Sequence, residues 1–591
     1  MEAEASGTAA TGPAHELLVS QNQLVRWQIA SERVALSLRA LLVAGVLSAA
    51  AAFAVTVWNA SQADGLVVEP FATPAALADR GLTGPVIAAE VLNQIARLDA
   101  EANNLQSISL SDSWSADSRV EIPQTGVSLD ELDRLLRRRF GRETRIAGEV
   151  VLAKDGVALS ARAGAGETVR ATGAADDLPR LASAVAEQLL GQARPGLYGR
   201  LLIFRGEPVE RVEPILRRAI DESPSEGKRV EALMNLGGAY LINNRLLEAR
   251  QLQREALRLA GRRPNQMVAN DLSYTERGLG RLEEALRLTR VSMGAKADSL
   301  TEVRANAVAM NEAAMTGDFT KARLLVDPVG TRRLRGYLDT FVHRQIEAMI
   351  GLHETSAARV RMPLLLQTAA WPARGARFQQ ALLITAAVAD ENWPALLDLT
   401  AQDAPESDLT LLSTPSPVPW RALGLAKLGR VQEAEAIVDG LPQDCDPCLL
   451  VRGQVAELAG DRARADQAFA QAARQTLSLP FARTQYAAVL LARGDRQAAI
   501  REATAAVRIN PRFADAQEVL GEALLASGDA AGANAKFAEA AKLAPRWGRL
   551  HLRWGEALAR LGKADEARAK WRAAATMDLS AADRAALKAR L

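Results

Sequence analysis

The sequence predicts a mostly α-helical protein, in which a helical solenoid follows a small α/β domain and one transmembrane helix. Three observations support this fold class. Small residues recur every 34 residues in the last third of the chain. Near the N-terminus, residues 40–63 include no charged side chain. Between these regions, short β-branched runs alternate with amphipathic segments, the pattern of strands and helices.

Length and composition exclude several classes of protein. A chain of 591 residues is too long for one core, because single cores stop growing near ~250–300 residues. Aromatic residues make up only 4% of the chain, which favours helices packed through small side chains. The formal charge of +2 comes from interleaved acids and bases, so no nucleic-acid partner is expected. Two cysteines exclude a small disulfide-rich scaffold.

The uncharged stretch predicts a transmembrane helix over residues 40–59, long enough to span ~30 Å of hydrocarbon. Arg26, Arg33 and Arg39 precede it and Asp64 follows it, so the positive-inside rule places residues 1–39, a helix or tail, in the cytoplasm. The rest would be extracytoplasmic. The alternative is a cleaved signal peptide, although 39 preceding residues far exceed the usual charged segment of such peptides.

Residues 66–200 predict a small α/β domain. Strand-forming runs and helical periodicity alternate along it. The predicted elements are a strand within Gly65–Phe71, a helix over Thr83–Ala102, a strand over Arg119–Pro123, a helix over Asp130–Phe140, a hairpin of Ala147–Ala153 with Val157–Ala163, and a helix over Asp177–Gln192.

Three segments of this region resemble the TolB amino-terminal-like domain of bacterial proteins. They are VVEPF at 67–71, GLTGPVIAAEVLNQIARL at 81–98 and RIAGEVVLAKDGVALSARA at 145–163. The resemblance implies a module for protein contacts in the bacterial cell envelope, or one that precedes signalling domains. It also implies that the extracytoplasmic space is the periplasm and that the anchor lies in the inner membrane. The resemblance to this family implies no catalytic residue.

The C-terminal repeats, predicted over residues 415–591, have a period of 34. Close approach of stacked helices requires small residues at the crossing points. Three columns provide them: Gly453, Ala487, Gly521 and Gly555; Ala465, Ala499, Ala533 and Ala567; and Ala472, Ala506, Ala540 and Ala574. A fourth column, Gly460, Gly494, Gly528 and Gly562, stands where the first helix of each pair must end.

Large side chains complete the pattern. The small-residue columns and these large residues together resemble the repeat of the tetratricopeptide (TPR) family. Phe469, Phe537 and Trp571 follow the alanine column by four residues, and Pro511 and Pro545 mark repeat boundaries. Ala503 takes the aromatic position in one repeat, which predicts looser packing there.

Upstream, residues 201–410 predict degenerate TPR-like repeats. Gly280 with Ala285 and Gly317 with Ala322 fit two of them, whereas residues 330–410 keep helical periodicity without signature residues. A proline-rich break, Thr414–Pro419, separates this region from the C-terminal repeats.

No motif in the sequence predicts catalysis. The four histidines lack metal-ligand spacing, and neither a phosphate-binding glycine loop nor a G-x-S-x-G elbow occurs. We therefore expect no catalytic residue, no metal and no cofactor. Cys445 and Cys448 have C-x-x-C spacing; a local disulfide is the leading interpretation outside the cytoplasm, with free thiols or a thioredoxin-like redox pair as alternatives.

A cluster of arginine and tryptophan near the C-terminus is the predicted partner-binding surface. Trp547 and Arg549 are expected to be exposed, and such residues dominate interface hot spots; plain surface packing is the alternative. The predicted set comprises Arg546, Trp547, Arg549, Glu518, Glu522 and Glu556. This mixed charge differs from the Lys and Asn set with which some TPR domains bind a terminal carboxylate.

These patterns together predict a membrane-anchored scaffold that binds protein or peptide partners and has no small-molecule substrate. A regulatory or sensory subunit of a membrane signalling system is the alternative, and an enzyme ranks third.

Overall fold

The structure is a computed structural model. It describes residues 19–21, 41–58, 66–104, 119–120, 139, 144–153, 156–223, 225–243, 245–261, 266–293, 299–325, 335–368, 372–401 and 417–591. These residues fall into two compact units, one within Met1–Ala96 and Ser113–Leu189 and the other within Arg97–Asp112 and Leu190–Leu591. The second unit thus begins inside a helix, before the domain boundary predicted at residue 200.

One helix in the described part of the chain is long and apolar enough to cross a membrane. It spans Leu41–Trp58, has a mean hydropathy of 2.2, and buries none of its residues. Leu41, Phe53 and Trp58 are among its exposed large side chains. These bounds match the segment predicted from the absence of charge.

The first unit contains a five-stranded sheet with the order β2-β1-β3-β4-β5. Its strands are β1 (Leu66–Val68), β2 (Arg119–Val120), β3 (Thr144–Ala153), β4 (Gly156–Ala163) and β5 (Val169–Gly173). β1 is parallel to both β2 and β3, whereas β3, β4 and β5 are antiparallel. The predicted hairpin is confirmed. β5 was not predicted, because five residues ending in glycine give a weak strand signal.

Besides the apolar helix Leu41–Trp58, the described residues of this unit contain the beginnings of α1 (Ala75–Ala78), α2 (Gly84–Asn104) and α3 (Leu178–Ala193). The last two confirm predicted helices to within two residues at each end. The helix predicted over Asp130–Phe140 lies, apart from Arg139, outside the described residues, as do residues 1–39 apart from 19–21.

The turn after β1 packs against β3. The Ala72 N–H donates to Gly148 O at 2.9 Å, and the Val150 N–H donates to Ala72 O at 2.8 Å. The ring of Phe71, which is 3% exposed, occupies the space that a side chain at Gly148 would need. Two of the segments that carry the family resemblance are therefore in direct contact.

The second unit is a TPR-like solenoid of helical hairpins. Its first half consists of α4 (Pro195–Phe204), α5 (Val209–Asp221), α6 (Glu226–Ile242), α7 (Leu246–Leu259), α8 (Gln266–Gly278), α9 (Leu282–Ser292), α10 (Ser299–Thr316), α11 (Phe319–Leu324), α12 (Arg335–Gly351), α13 (Thr355–Arg361), α14 (Leu364–Thr368), α15 (Pro372–Ala389) and α16 (Trp393–Thr400).

Within the described residues 417–591, the C-terminal hairpins succeed one another without irregular insertions. They are formed by α17 (Pro417–Lys427), α18 (Val431–Asp439), α19 (Asp446–Leu458), α20 (Arg462–Gln475), α21 (Phe481–Ala492), α22 (Arg496–Ile509), α23 (Ala514–Ser527), α24 (Ala530–Leu543), α25 (Gly548–Arg560) and α26 (Ala564–Ala574), with α27 (Ala581–Lys588) at the end.

The predicted columns have the predicted roles. Gly460, Gly494, Gly528 and Gly562 all have left-handed backbone, with φ between 73° and 97°. The eight residues of the two alanine columns are each at most 1% exposed. Three of the glycines precede an aspartate whose side chain caps the next helix; Asp461, for example, accepts from the Arg464 N–H at 3.0 Å.

The glycines of the first column make room for the aromatic side chains. A Cβ built on Gly453 or Gly521 would lie 2.8 Å from the ring of Phe469 or 2.7 Å from that of Phe537. The hairpin that has Ala503 in place of the aromatic residue also has Ala487 in place of the glycine, and both alanines are fully buried. A methyl group thus stands where the other hairpins hold a ring.

At two turns of the degenerate repeats, a residue other than glycine adopts the left-handed conformation. Gly280 and Gly317 are followed, at the next two hairpins, by His353 with φ 59° and Glu391 with φ 55°. The His353 N–H donates to Ile350 O at 2.9 Å, which is the helix-ending bond that a glycine usually makes. The signature residue is missing here, although the hairpin is present.

Turns of the first half pack against repeat boundaries of the C-terminal half. The Asp446 N–H donates to Gly280 O at 2.8 Å, and Asn510 Nδ2 donates to Thr316 O at 2.7 Å. Arg512 pairs with Asp318 at 2.6 Å. Asn510 and Thr316 are 194 residues apart, which corresponds to between five and six hairpins of 34 residues. Successive turns of the solenoid therefore contact one another.

We predict that Gly521→Ala lowers the free energy of unfolding by about 1–3 kcal/mol, because the new methyl group overlaps the Phe537 ring. Gly238→Ala, in the interior of α6 with open space around it, is the matched control. It should be neutral or stabilise by about 0.5–1 kcal/mol. Chemical denaturation followed by circular dichroism measures both changes. Equal stability of the two variants would contradict the role of the glycine column.

The buried carboxyl group of Asp446 should make the stability of the protein depend on pH. Burial, together with nearby Glu283, raises the pKa of Asp446 to about 7, although its carboxylate accepts from the Leu282 N–H at 2.8 Å. The ordinary pKa is about 3.9, so the folded state binds an extra proton between these values and stability falls as pH rises from about 4 to 7.

The substitution Asp446→Asn should remove this loss of stability at rising pH. At pH 8 the variant should be more stable than the parent chain by up to about 4 kcal/mol, whereas at pH 4 the two should be similar. Unfolding of both chains at the two pH values measures the difference. The exposed Asp565→Asn serves as control, and a stability gain that is independent of pH would count against the buried carboxyl as its source.

Candidate functional site

A cavity of 560 Å³ lies inside the second unit. The first helices of five C-terminal hairpins, α17, α19, α21, α23 and α25, form its main wall. The turns at residues 353–355 and 388–393 and the segment at residues 578–583 close it from other sides. Contact between successive turns of the solenoid thus converts an open concave face into a pocket.

Three indole rings belong to the cavity wall: those of Trp393, Trp420 and Trp547. Trp393 and Trp420 are partly buried and pack against the same apolar cluster, whereas Trp547 is 5% exposed. Leu423 and Val489 add aliphatic surface. The wall therefore combines aromatic and apolar groups with a smaller number of polar ones, as ligand pockets commonly do.

His353 links the two halves of the solenoid at the cavity. Its ring stacks on that of Trp547, with centroids 3.7 Å apart and planes at 6°. Its Nε2 lies 3.1 Å from Asp515 Oδ1. A left-handed backbone costs a residue other than glycine roughly 1–2 kcal/mol. The stack and the hydrogen bond offset that cost, and strain of this kind often accompanies functional sites.

Arg549 is the centre of a buried charge network in the wall. Its Nε donates to Glu518 Oε1 at 3.1 Å and its Nη2 donates to Glu522 Oε1 at 2.9 Å. Arg553 also pairs with Glu522 at 2.9 Å. The side chain of Glu518 is 2% exposed, so its charge depends on these partners rather than on solvent.

The pKa values of the two carboxyl groups in this network are shifted in opposite directions. Burial, aided by the neighbouring Glu522, raises the pKa of Glu518 well above its ordinary value. Burial acts in the same direction on Glu522, but Arg549 and Arg553 outweigh it and lower the pKa of that group. The pKa values of Glu518 and Glu522 are therefore shifted apart, because two adjacent carboxylates resist joint ionisation.

The sequence-predicted site residues divide into two groups. Trp547, Arg549 and Glu518 line the cavity. Arg546 is exposed outside it, and Glu522 and Glu556 contribute through ion pairs with Arg553. The expectation that Trp547 is exposed was wrong, because the ring is covered by His353 from the preceding turn of the solenoid.

Several residues of the site were not singled out from the sequence. His353, Trp393 and Trp420 come from the degenerate region or its edge, where no repeat signature marks them. The four left-handed turn residues, Gly280, Gly317, His353 and Glu391, follow one another at intervals close to one repeat length. This spacing was the signal in the sequence that could have identified His353.

The remaining candidate residues, His551, Cys445 and Cys448, have structural roles. His551 is 8% exposed, its Nε2 lies 2.9 Å from Pro545 O, and burial lowers its pKa. Cys445 and Cys448 are joined by a disulfide at the start of α19. Among the residues that the structure describes, no group of three or more His, Cys, Asp or Glu side chains is placed to hold a metal ion.

Comparison with known proteins assigns no family. No protein-family model matches the sequence, and no curated protein is similar to it. The APC/C hetero-tetramer Cut9-Hcn1 is similar in structure, with 12% identity and a TM-score of 0.39 over 66% of this chain and 76% of that chain. Yeast Tom70 is similar with 13% identity and a TM-score of 0.32 over 68% of this chain and 96% of that chain.

The charge network predicts unequal effects of equivalent substitutions. Glu518→Gln should change the free energy of unfolding at pH 7 by less than about 1 kcal/mol, because glutamine resembles the protonated carboxyl. Glu522→Gln should cost more, and Arg549→Ala about 3–5 kcal/mol, since it leaves a buried charge without its partner. Denaturation of the three variants gives the order of the costs, and equal costs for the two glutamine variants would refute the opposite shifts of the two pKa values.

Proposed function

We propose that this protein is a membrane-anchored scaffold that binds a segment of a protein partner in the cavity of its solenoid and catalyses no reaction. The cavity carries the proposal. It is lined by tryptophans, aliphatic groups and a few convergent polar groups, and its volume of 560 Å³ falls within the range of ligand pockets. Arg549, Glu518 and Trp547 belong to this site in the proposal, whereas Arg546, Glu522 and Glu556 support or flank it.

The proposed location is the inner membrane of a bacterial envelope, with one spanning helix and the solenoid in the periplasm. Leu41–Trp58 supports this because its apolar side chains are exposed, which is unfavourable in water but suits a lipid surface. The arginines before this helix favour a cytoplasmic N-terminus. The disulfide between Cys445 and Cys448 is compatible with an oxidising compartment.

The α/β unit serves as a second docking module in this proposal. Its support is the resemblance of residues 66–200 to TolB amino-terminal-like domains, together with the packing of Phe71 over Gly148 that joins two of the resembling segments. This role leaves the cavity as the site where the partner segment is held.

Site-specific photo-crosslinking of the full chain in bacterial cells tests the proposal. A benzophenone amino acid at Gln485, on the cavity wall, should give a covalent adduct with another protein. The same group at Arg501, exposed on α22 and outside the cavity, is the matched control and should give none. The adduct should remain with the membrane after alkaline carbonate extraction.

Each outcome bears on a different part of the proposal. Adducts at Arg501 but not at Gln485 would move the binding surface to the outer face. Absence of adducts at both positions would contradict the scaffold function. Release of the chain by carbonate would refute the spanning helix while leaving the cavity site in place.

A further inference from the structure

We propose that the segment held in the cavity is cationic: a short stretch of the partner that carries arginine or lysine next to an apolar residue. This inference rests on the proposed function and specifies the chemistry of the occupant. Its support is the combination of the cavity volume, three indole rings and an excess of carboxylates distributed around the lining.

The lining is strongly unbalanced in charge. Among the residues that the structure describes, two basic side chains line the cavity, Lys427 and Arg549. Seven acidic side chains do so: Asp390, Glu391, Glu457, Asp515, Glu518, Asp578 and Asp583. A cavity with low-dielectric walls focuses such a field and raises the local concentration of cations.

Some of these acids are already compensated from outside the cavity. Arg359 pairs with Asp390, and Arg493 pairs with Glu457. Glu518 is paired with Arg549 within the wall, at 3.1 Å. Glu391 and Asp515 differ from these, because Glu391 is exposed and the side chain of Asp515 remains 32% exposed beside His353. Asp578 accepts from the Ser356 N–H at 2.9 Å, and Asp583 lies 4.0 Å from Arg549 and 3.9 Å from Arg553. Glu391 and Asp515 are therefore the acidic groups that an entering cation reaches most readily.

The indole rings favour the same ligand. Cations bind to the face of tryptophan through the ring quadrupole. The chain itself provides an example at the cavity, where Lys427 Nζ lies 5.6 Å from the centroid of the Trp393 ring. Trp393 and Trp420 are partly buried, so an arginine or lysine side chain can contact aromatic surface and carboxylate together.

Volume limits the length of the occupant. A space of 560 Å³ is typical of sites for drug-sized ligands, which corresponds to a few side chains rather than a folded domain or a long helix. A segment that ends in a free carboxylate is disfavoured, because its negative charge would meet the acidic wall. A small free cation shares the same chemistry and is separated from a peptide by the experiment below.

Peptide binding to the purified full chain in lipid nanodiscs tests the inference. The probe is a fluorescent hexapeptide, acetyl-Gly-Arg-Leu-Arg-Ala-Gly-amide. The matched peptides replace both arginines by citrulline, which keeps the shape but removes the charge, or by glutamate. Citrulline should weaken binding at least about tenfold and glutamate should abolish it. Binding of the arginine peptide should also weaken with added salt.

Charge-neutralising variants locate the binding site. The double variant Glu391→Gln with Asp515→Asn should lower affinity for the arginine peptide about tenfold. The control, Glu539→Gln with Asp565→Asn, makes the same change in charge outside the cavity, on α24 and α26, and should bind like the parent chain. Thermal unfolding of both variants shows whether folding is retained.

Three results would overturn the inference. Equal binding of the arginine and citrulline peptides would remove the charge requirement. Equal losses in the cavity variant and the control would place the site elsewhere. Competition by arginine ethyl ester, at an affinity equal to that of the peptide, would identify a small cation as the ligand. If adducts at Gln485 persist in any of these cases, the scaffold proposal stands; if they are absent, it fails irrespective of peptide binding.

Discussion

Close approach of helices at residues without large side chains is the constraint on which the solenoid depends. Gly453, Gly521 and Gly555 leave the space that the aromatic ring of the following helix fills, and the alanine columns bring neighbouring hairpins together. Because the same crossing is repeated every 34 residues, each hairpin turns by a similar amount relative to the one before it. The turns of the superhelix, and therefore the pocket between them, result from that repeated step.

The pocket exists because turns distant in sequence meet. Gly280 and Gly317 bring the backbone of the first half against Cys445 and Phe513 of the C-terminal half. At the third of these positions a histidine replaces the glycine, and its ring covers Trp547. His353, which is only an irregular turn residue when one repeat is considered by itself, thus joins the two walls of the candidate site. The strained backbone of His353 is offset by contacts that only the assembled superhelix provides.

The repeat explains which parts of the fold were predictable. Glycine at a left-handed helix end and alanine at a crossing are local requirements, and both were evident in the sequence. The degenerate repeats were harder to delimit, because His353 and Glu391 adopt the left-handed conformation without the residue that usually signals it. The exposure of Trp547 was predicted wrongly for a related reason: its covering residue lies 194 positions away, and no periodicity within one hairpin reports a contact between turns.

The sequence by itself determined the helical hairpins, their period, the β-hairpin and the apolar segment, because each depends on conformational preferences and hydrophobic periodicity within a few tens of residues. Tertiary structure alone decided which side chains share a cavity. It also decided the raised pKa of Glu518, since that shift follows from burial beside Glu522. Burial and charge pairing depend on the distance between groups in space, and in a superhelix that distance is set by the accumulated rotation of five to six hairpins.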